Sequence, residues 1–225
     1  MKKKLIIFGA GKIAQAVSYY FERDSEYTIE AFVCDDAFVK VSEYCGKPLV
    51  PFSMMKDRYS PTGFSAFVAV GYQAMNRLRS DKVKELRMMG YSLASYRSGE
   101  AKGNYTMGEN SIVMDYAVIQ PCVTLGNNVF VWGGAMIGHH ADIQDDCWLT
   151  GGCLVGGITR LGAGSFLGLG ATVGNEVLIG ERCMLGAGIV VCKNIPDGTV
   201  LIAPNTEPHR LNAEQFTRMS TCFRV

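Results

Sequence analysis

Two of the three histidines in the 225-residue chain are neighbours, His139 and His140; the third is His209. A neutral imidazole, with an ordinary pKa of about 6.5, takes a proton near neutral pH, so a histidine exposed beside a bound substrate is suited to general-base chemistry. A second group is Gly9-x-Gly11-x-x-Ala14, followed by Asp35-Asp36. Glycines at that spacing let backbone N–H groups approach phosphate oxygens, and a carboxylate at the end of the next strand reaches a ribose hydroxyl. None of the eight cysteines (Cys34, Cys45, Cys122, Cys147, Cys153, Cys183, Cys192 and Cys222) forms a C-x-x-C pair, so no structural zinc site is expected.

The glycine motif needs a strand before it and a helix after it. Lys4 to Phe8 is an apolar run, and Ile13, Ala14, Val17, Tyr20 and Phe21 recur at helical spacing. Thr28 to Cys34 predicts a second strand and Phe64 to Val70, closed by Gly71, a third. Gln73 to Met89 predicts a helix with Met75, Leu78, Val83, Leu86 and Met89 on one side, and Tyr91 to Tyr96 predicts a fourth strand. Strand and helix in alternation predict a small parallel sheet with helices on its faces. Four strands are few for a whole dinucleotide fold. A mononucleotide part, such as the nucleoside diphosphate of an activated sugar, fits better than a nicotinamide dinucleotide; a tight turn without ligand is the remaining alternative.

The histidines sit in a different pattern. From Thr106 to Ile195 the chain divides into fifteen hexads, and the second position is Met, Val, Ile or Leu in every one. Glycine follows it in nine hexads, and the sixth position is always small or β-branched. This predicts a parallel β-helix of triangular section. Each hexad supplies a short strand and a corner, and the aliphatic residue points into the prism. The glycine is expected where the chain turns sharply or takes φ > 0. Cys147, Cys153 and Cys183 occupy sixth positions and are expected in the core. Three hexads make a coil, so five coils at about 4.8 Å stand about 24 Å tall. Pro196-Asp197-Gly198 ends the pattern, Thr199 to Ala203 is expected to cap the last coil, and Asn212 to Phe223 to form a short helix.

Composition narrows the function classes. Lys+Arg minus Asp+Glu is 22 − 21 = +1, which gives no general field for nucleic acid or an anionic membrane. No apolar run approaches the roughly 20 residues of a membrane span, and the run after Lys2 to Lys4 is too short for a signal peptide. Free thiols and a cytoplasmic location are the expectation.

The hexads together with Gly9-Ala10-Gly11, Asp35-Asp36, Gly71, Arg77 and Ile137-Gly138-His139-His140 resemble one group of left-handed β-helix acyltransferases. These are the bacterial nucleotide-sugar N-acetyltransferases and sialic acid O-acetyltransferases with an N-terminal Rossmann-like domain. The resemblance implies the hand of the helix. The expected fold is therefore a small Rossmann-like parallel α/β sheet (residues 1–100), an all-β left-handed parallel β-helix (101–204) and a tail (205–225).

The resemblance also implies roles. His139 would be the general base, with His140 beside it where some relatives carry a glutamate; Asp142, Asp115 or a neighbouring subunit could supply an acid instead. Gly157 would offer its backbone N–H to the oxyanion. Trp148, Gly157 and Leu169 would contact acetyl-CoA, with Trp148 either against the pantetheine arm or at the edge of the core. Lys193, Arg210 or Arg218 would meet the CoA phosphates. Gly11, Lys12, Ile13, Asp35, Asp36, Gly71 and Arg77 would bind the nucleotide-linked amino sugar. Tyr116 and Trp132, read as exposed corner aromatics, could stack on sugar or adenine or pack in an interface. The implied enzyme is an acetyl-CoA-dependent N-acetyltransferase for surface glycan, a homotrimer with no metal. A sugar O-acetyltransferase and a non-catalytic scaffold are the alternatives. A β-helix metalloenzyme of the carbonic anhydrase type would need three histidines at a site, and His209 lies beyond the repeats.

Overall fold

The computed structural model describes residues 2–219. Six strands form the N-terminal sheet: β1 (Lys3–Phe8), β2 (Tyr27–Cys34), β3 (Glu43–Tyr44), β4 (Lys47–Pro51), β5 (Ser65–Val68) and β6 (Ser92–Leu93). Their order is β3-β4-β2-β1-β5-β6, parallel except for the β3–β4 hairpin. That hairpin turns on Cys45 and Gly46, both at positive φ. β3 and β4 are additions to the four strands expected from sequence.

Alternation along β1 divides the core. Leu5 and Ile7 point to the face covered by helix α1 (Lys12–Asp24), whose Ala14, Val17 and Phe21 are buried. Ile6 and Phe8 point to the opposite face, against Met55 of helix α2 (Met55–Arg58) and Val83 and Leu86 of helix α3 (Arg77–Met88). α3 starts four residues later than its apolar pattern suggests. Ala74, Met75 and Asn76 all take left-handed backbone, and Asn76 is held there by donating to the Gly164 carbonyl and accepting from Arg79.

The hexads form the prism. One face stacks Val118–Ile119, Met136–Ile137, Leu154–Val155, Thr172–Val173 and Val190–Val191 in parallel register, each strand 18 residues after the last. The second face runs from Thr106–Met107 to Leu178–Ile179, and the third from Tyr96–Arg97 to Val200–Leu201. Tyr96, expected to close a strand of the first sheet, instead pairs with Ile112 in the prism. Second-position aliphatics from Val113 to Val191 and the sixth-position Cys147, Cys153 and Cys183 fill the interior, as expected. Burial pushes the Cys147 and Cys153 thiols up to about 12. Cys222 and residues 220–223 of the expected terminal helix lie outside the described residues; helix α4 spans Ala213–Met219.

The repeat's glycines serve a different purpose from the one expected. None at the third position has positive φ. A Cβ on Gly138 would lie 2.4 Å from the Gly157 nitrogen, so glycine is needed there for contact between coils. Positive φ belongs to the fifth position, in every hexad but the last. Even Ile158 adopts it, an uncommon state for a β-branched residue.

The sheet and the prism share one core. First-position residues on the third face, Ile112, Phe130 and Trp148, pack with Phe67, Phe21 and Phe32. Beside them Asn110, Asn128 and Asp146 form a hydrogen-bonded ladder, and Asn110 also bonds both backbone groups of Val68. Arg79 closes the joint. It is fully buried, donates to Asn76, Asn128 and the Asp146 carbonyl, and lies 4.6 Å from the Phe130 ring centroid. Burial lowers its pKa to about 10, which leaves it charged at neutral pH.

Candidate active site

A cavity of about 550 Å³ opens where β1, β2 and β5 end. Gly9 is forced by space and backbone: its φ is +129°, and a Cβ would lie 2.6 Å from the Ala69 carbonyl oxygen. Gly11 precedes α1, and no side chain caps the helix. The free N–H groups of the first turn therefore give the cavity an anion-binding wall. Gly11, Lys12, Ile13, Asp35 and Gly71, named from sequence as candidates, all line it.

Two expected residues are not there. Asp36 turns away and accepts hydrogen bonds from the Ser53 backbone N–H (3.0 Å) and hydroxyl (2.6 Å), which hold its carboxyl below the usual range. Arg77 is exposed, 3.7 Å from Asp81, in a separate polar groove. Three unforeseen residues matter instead. Phe38 is exposed at the rim, and Gln73 lies beside Gly71 in the wall. Lys82 donates to Asp35 at 3.0 Å and so fixes its carboxylate.

Ile13 joins this cavity to a groove of about 550 Å³ on the prism, lined by Tyr72, Trp132, Trp148, Phe166 and Leu169. Trp148 is 2% exposed and stacks on Phe130 at 4.8 Å, which makes it core with one edge on the groove. Trp132 is half-buried, and its indole N–H has no partner among the described residues. Leu169 is exposed. Tyr116 is exposed at its corner.

His139 lies at a different corner, in the column Pro121, His139, Gly157, Asn175, Lys193 that the 18-residue period creates. Its backbone N–H donates to the Gln120 side chain at 2.9 Å, and its ring is exposed. The ring lies over Gly157: a Cβ there would fall 2.9 Å from Cε1 and 3.0 Å from Nε2. Gly157 is thus glycine to seat the imidazole. Its own N–H is engaged, donating to Asn175 Oδ1 at 2.8 Å.

His139 Nδ1 stands 3.2 Å from His140 Nδ1, the ring's one hydrogen-bond partner among the described residues. The carboxylates considered from sequence are committed elsewhere. Asp115 accepts from Arg23 at 2.7 Å and from Ser98, and the Arg23 contact holds its pKa down. Asp142 lies 3.5 Å from Arg160. Among the described residues no group of three or more His, Cys, Asp or Glu is placed to hold a metal, and no helix is long and apolar enough to cross a membrane.

Residues 104–139 match the bacterial transferase hexapeptide (six repeats) family. No curated protein matches the chain in sequence. Among solved structures, a mutant perosamine N-acetyltransferase from Caulobacter crescentus, in complex with CoA and GDP-perosamine, is 28% identical. The match covers 89% of this chain and 93% of that one, with a TM-score of 0.81. The acetyltransferase domain of PglB from Neisseria gonorrhoeae, in complex with acetyl coenzyme A, is 25% identical over 89% and 96% of the two chains, with a TM-score of 0.67. WeeI from Acinetobacter baumannii shares the fold at 18% identity, over 90% and 97%, with a TM-score of 0.72. Repeat, topology and likeness together give this chain the fold of an acyltransferase, a left-handed β-helix joined to an N-terminal Rossmann-like domain, similar to the hexapeptide transferases.

Proposed function

We propose that the protein transfers an acetyl group from acetyl-CoA to the amine of a nucleotide-linked sugar. One observation carries this reading: an uncapped-helix cavity and an exposed His139 corner occur together in a fold shared with an N-acetyltransferase bound to CoA and GDP-perosamine. Residues 1–100 would hold the nucleotide, with phosphates at Gly11 and Lys12 and a ribose hydroxyl at Asp35. Residues 101–204 would hold acetyl-CoA and the reacting groups. Free thiols and the use of acetyl-CoA fit the cytoplasm.

The chemistry follows from the histidine pair. Of two nitrogens in hydrogen-bond contact, one carries a proton and the other a lone pair. With the proton on His139 Nδ1, His140 accepts, and His139 Nε2 keeps its lone pair for the acceptor. His140 is then a positioning residue that fixes the tautomer. The sugar nitrogen attacks the thioester carbon, the carbonyl pair moves to oxygen, and Nε2 takes the proton from nitrogen. As the carbonyl re-forms, the C–S bond breaks and the imidazolium returns the proton to the CoA sulfur.

His139 does not line the nucleotide cavity or the adjoining groove. The prism face next to its corner carries Val118, Met136, Leu154 and Val190 outward, all exposed. A second copy on that face would cover apolar surface and bring its own cavity to His139, which supports a homotrimer with composite sites.

Loss of thioester absorbance with nucleotide-linked amino sugars tests the reading, because a thiol dye would react with exposed cysteines. Turnover is expected with one nucleotide-linked amine, and His139→Ala should lower kcat at least 10³-fold at little-changed KM. Turnover only with hydroxyl acceptors, or none with any, would overturn it.

A further inference from the structure

The seating of His139 leaves the oxyanion without its expected partner. A backbone N–H donates one hydrogen, and that of Gly157 is directed at Asn175 Oδ1. Because an N–H must meet oxygen, the Asn175 amide is oriented: Oδ1 faces Gly157 and the NH₂ faces away. Among the described residues that NH₂ has no partner, and Asn175 is exposed.

The column reads side chain, gap, side chain. The His139 ring leans over Gly157 from one coil, and the Asn175 amide reaches the same glycine from the other side. The missing side chain seats the imidazole, so ring and amide flank one residue from the coils on either side of it and stand on the same exposed corner. Side chains cap backbone N–H groups along another corner as well. Asn127 accepts from Glu109, Asp145 from Asn127, and Asp197 from Glu181. There a carboxylate serves as readily as an amide. Beside His139 a carboxylate would repel the developing negative charge, whereas an amide accepts from Gly157 and still has two hydrogens to give.

We infer that Asn175, through its Nδ2 hydrogens, is the side chain that stabilises the oxyanion, and that Gly157 N–H acts by orienting that amide. The inference rests on the acetyl-transfer reading. As the acceptor nitrogen bonds to the thioester carbon, the electron pair displaced onto oxygen is met by Asn175 Nδ2–H. It returns when the C–S bond breaks, so Asn175 neither gains nor loses a proton.

The test compares the full-length protein with Asn175→Asp and Asn175→Ala, by steady-state kinetics with acetyl-CoA and the acceptor that the wild type uses. Asn175→Asp keeps the acceptor for Gly157 and removes the donor. Asn175→Ala removes both and frees the Gly157 N–H. The expected result is a fall in kcat of about 10²-fold in both, with both KM values within threefold. If Asn175→Ala keeps wild-type kcat while Asn175→Asp loses it, the freed Gly157 N–H is the donor and the inference is overturned. If both keep it, Asn175 is only a corner cap and the inference is again overturned. Should Asn175→Ala fail to fold, Asn175→Ser, also too short to bridge, is scored the same way. A wild type without turnover overturns the transfer reading itself, a result visible before any variant is made.

Discussion

The two parts of the molecule make their sites by opposite means. The cavity proposed for the nucleotide is assembled from unlike pieces: a glycine turn, an uncapped helix, the end of β2 and the loop after β5. The His139 corner is assembled from like pieces, equivalent positions of successive coils brought into a column by an 18-residue period. In the first, the contributing residues come from separate elements rather than from one repeated position. In the second, the residue above and the residue below are the environment. A substrate-selecting surface gains from independence, and a reacting centre gains from mutual constraint.

Uncoupling the two parts should have the largest effect. Arg79→Met removes the buried guanidinium that joins α3 to the Asn128 and Asp146 corner, and takes the donor from the Asn76 side-chain oxygen and from the Asn128 and Asp146 carbonyls. A loss of about 3 kcal/mol is expected, seen as a fall in Tm of roughly 6–12 °C. An unchanged Tm would mean that the shared apolar core alone holds the parts together.

Mutual constraint is tested next by Gly157→Ala, whose methyl would displace the His139 ring. It should lower kcat about 10²-fold, equivalent to about 2.7 kcal/mol, with the fold intact by circular dichroism. Independence is tested by Asp35→Ala. It should raise KM for the nucleotide-linked acceptor about tenfold, about 1.4 kcal/mol, and leave KM for acetyl-CoA alone.

The smallest effect is at the second tie between the parts, where Asp115 meets Arg23 and Ser98. Its folded pKa is depressed below the unfolded value, chiefly by the Arg23 contact. The stabilisation is therefore present above the unfolded pKa, near 3.9, and is lost as pH falls through the folded one. Because the pair is partly exposed, Asp115→Asn should cost no more than about 1 kcal/mol at neutral pH. The difference from wild type in Tm should close on acidification below about pH 4.

The prism was legible because its interior imposes one rule on every hexad, and aliphatic residues at the second position cannot serve another purpose as well. The role of its glycines was not legible, since close contact and positive φ both select glycine. One signal was present and missed. Among first positions in the hexads, aromatic residues occur only on the third face, at Phe130, Trp148 and Phe166, and on neither of the other two faces. Such a contrast between faces marks the one covered by another part of the chain. In the N-terminal part the glycine motif lies in the cavity wall, whereas Asp36 and Arg77, carried over from the resemblance, do not line it. One side chain is held by Ser53, and the left-handed turn at Ala74 to Asn76 sets the start of α3 so that Arg79, not Arg77, is the buried cation.

The unbroken phase of the hexads also limits how this part of the chain can change length. Adding or deleting one residue would turn every later aliphatic out of the interior. Adding six would restore the interior but rotate everything downstream by one face, separating His139 from Gly157 and Asn175 if it fell between them. Only steps of eighteen restore both interior and columns, and even these must fall outside the segment from His139 to Asn175. Length in such a region is therefore quantised in whole coils, whereas a substitution at an exposed first position of the second face, such as Thr124 or Arg160, leaves both interior and columns in place.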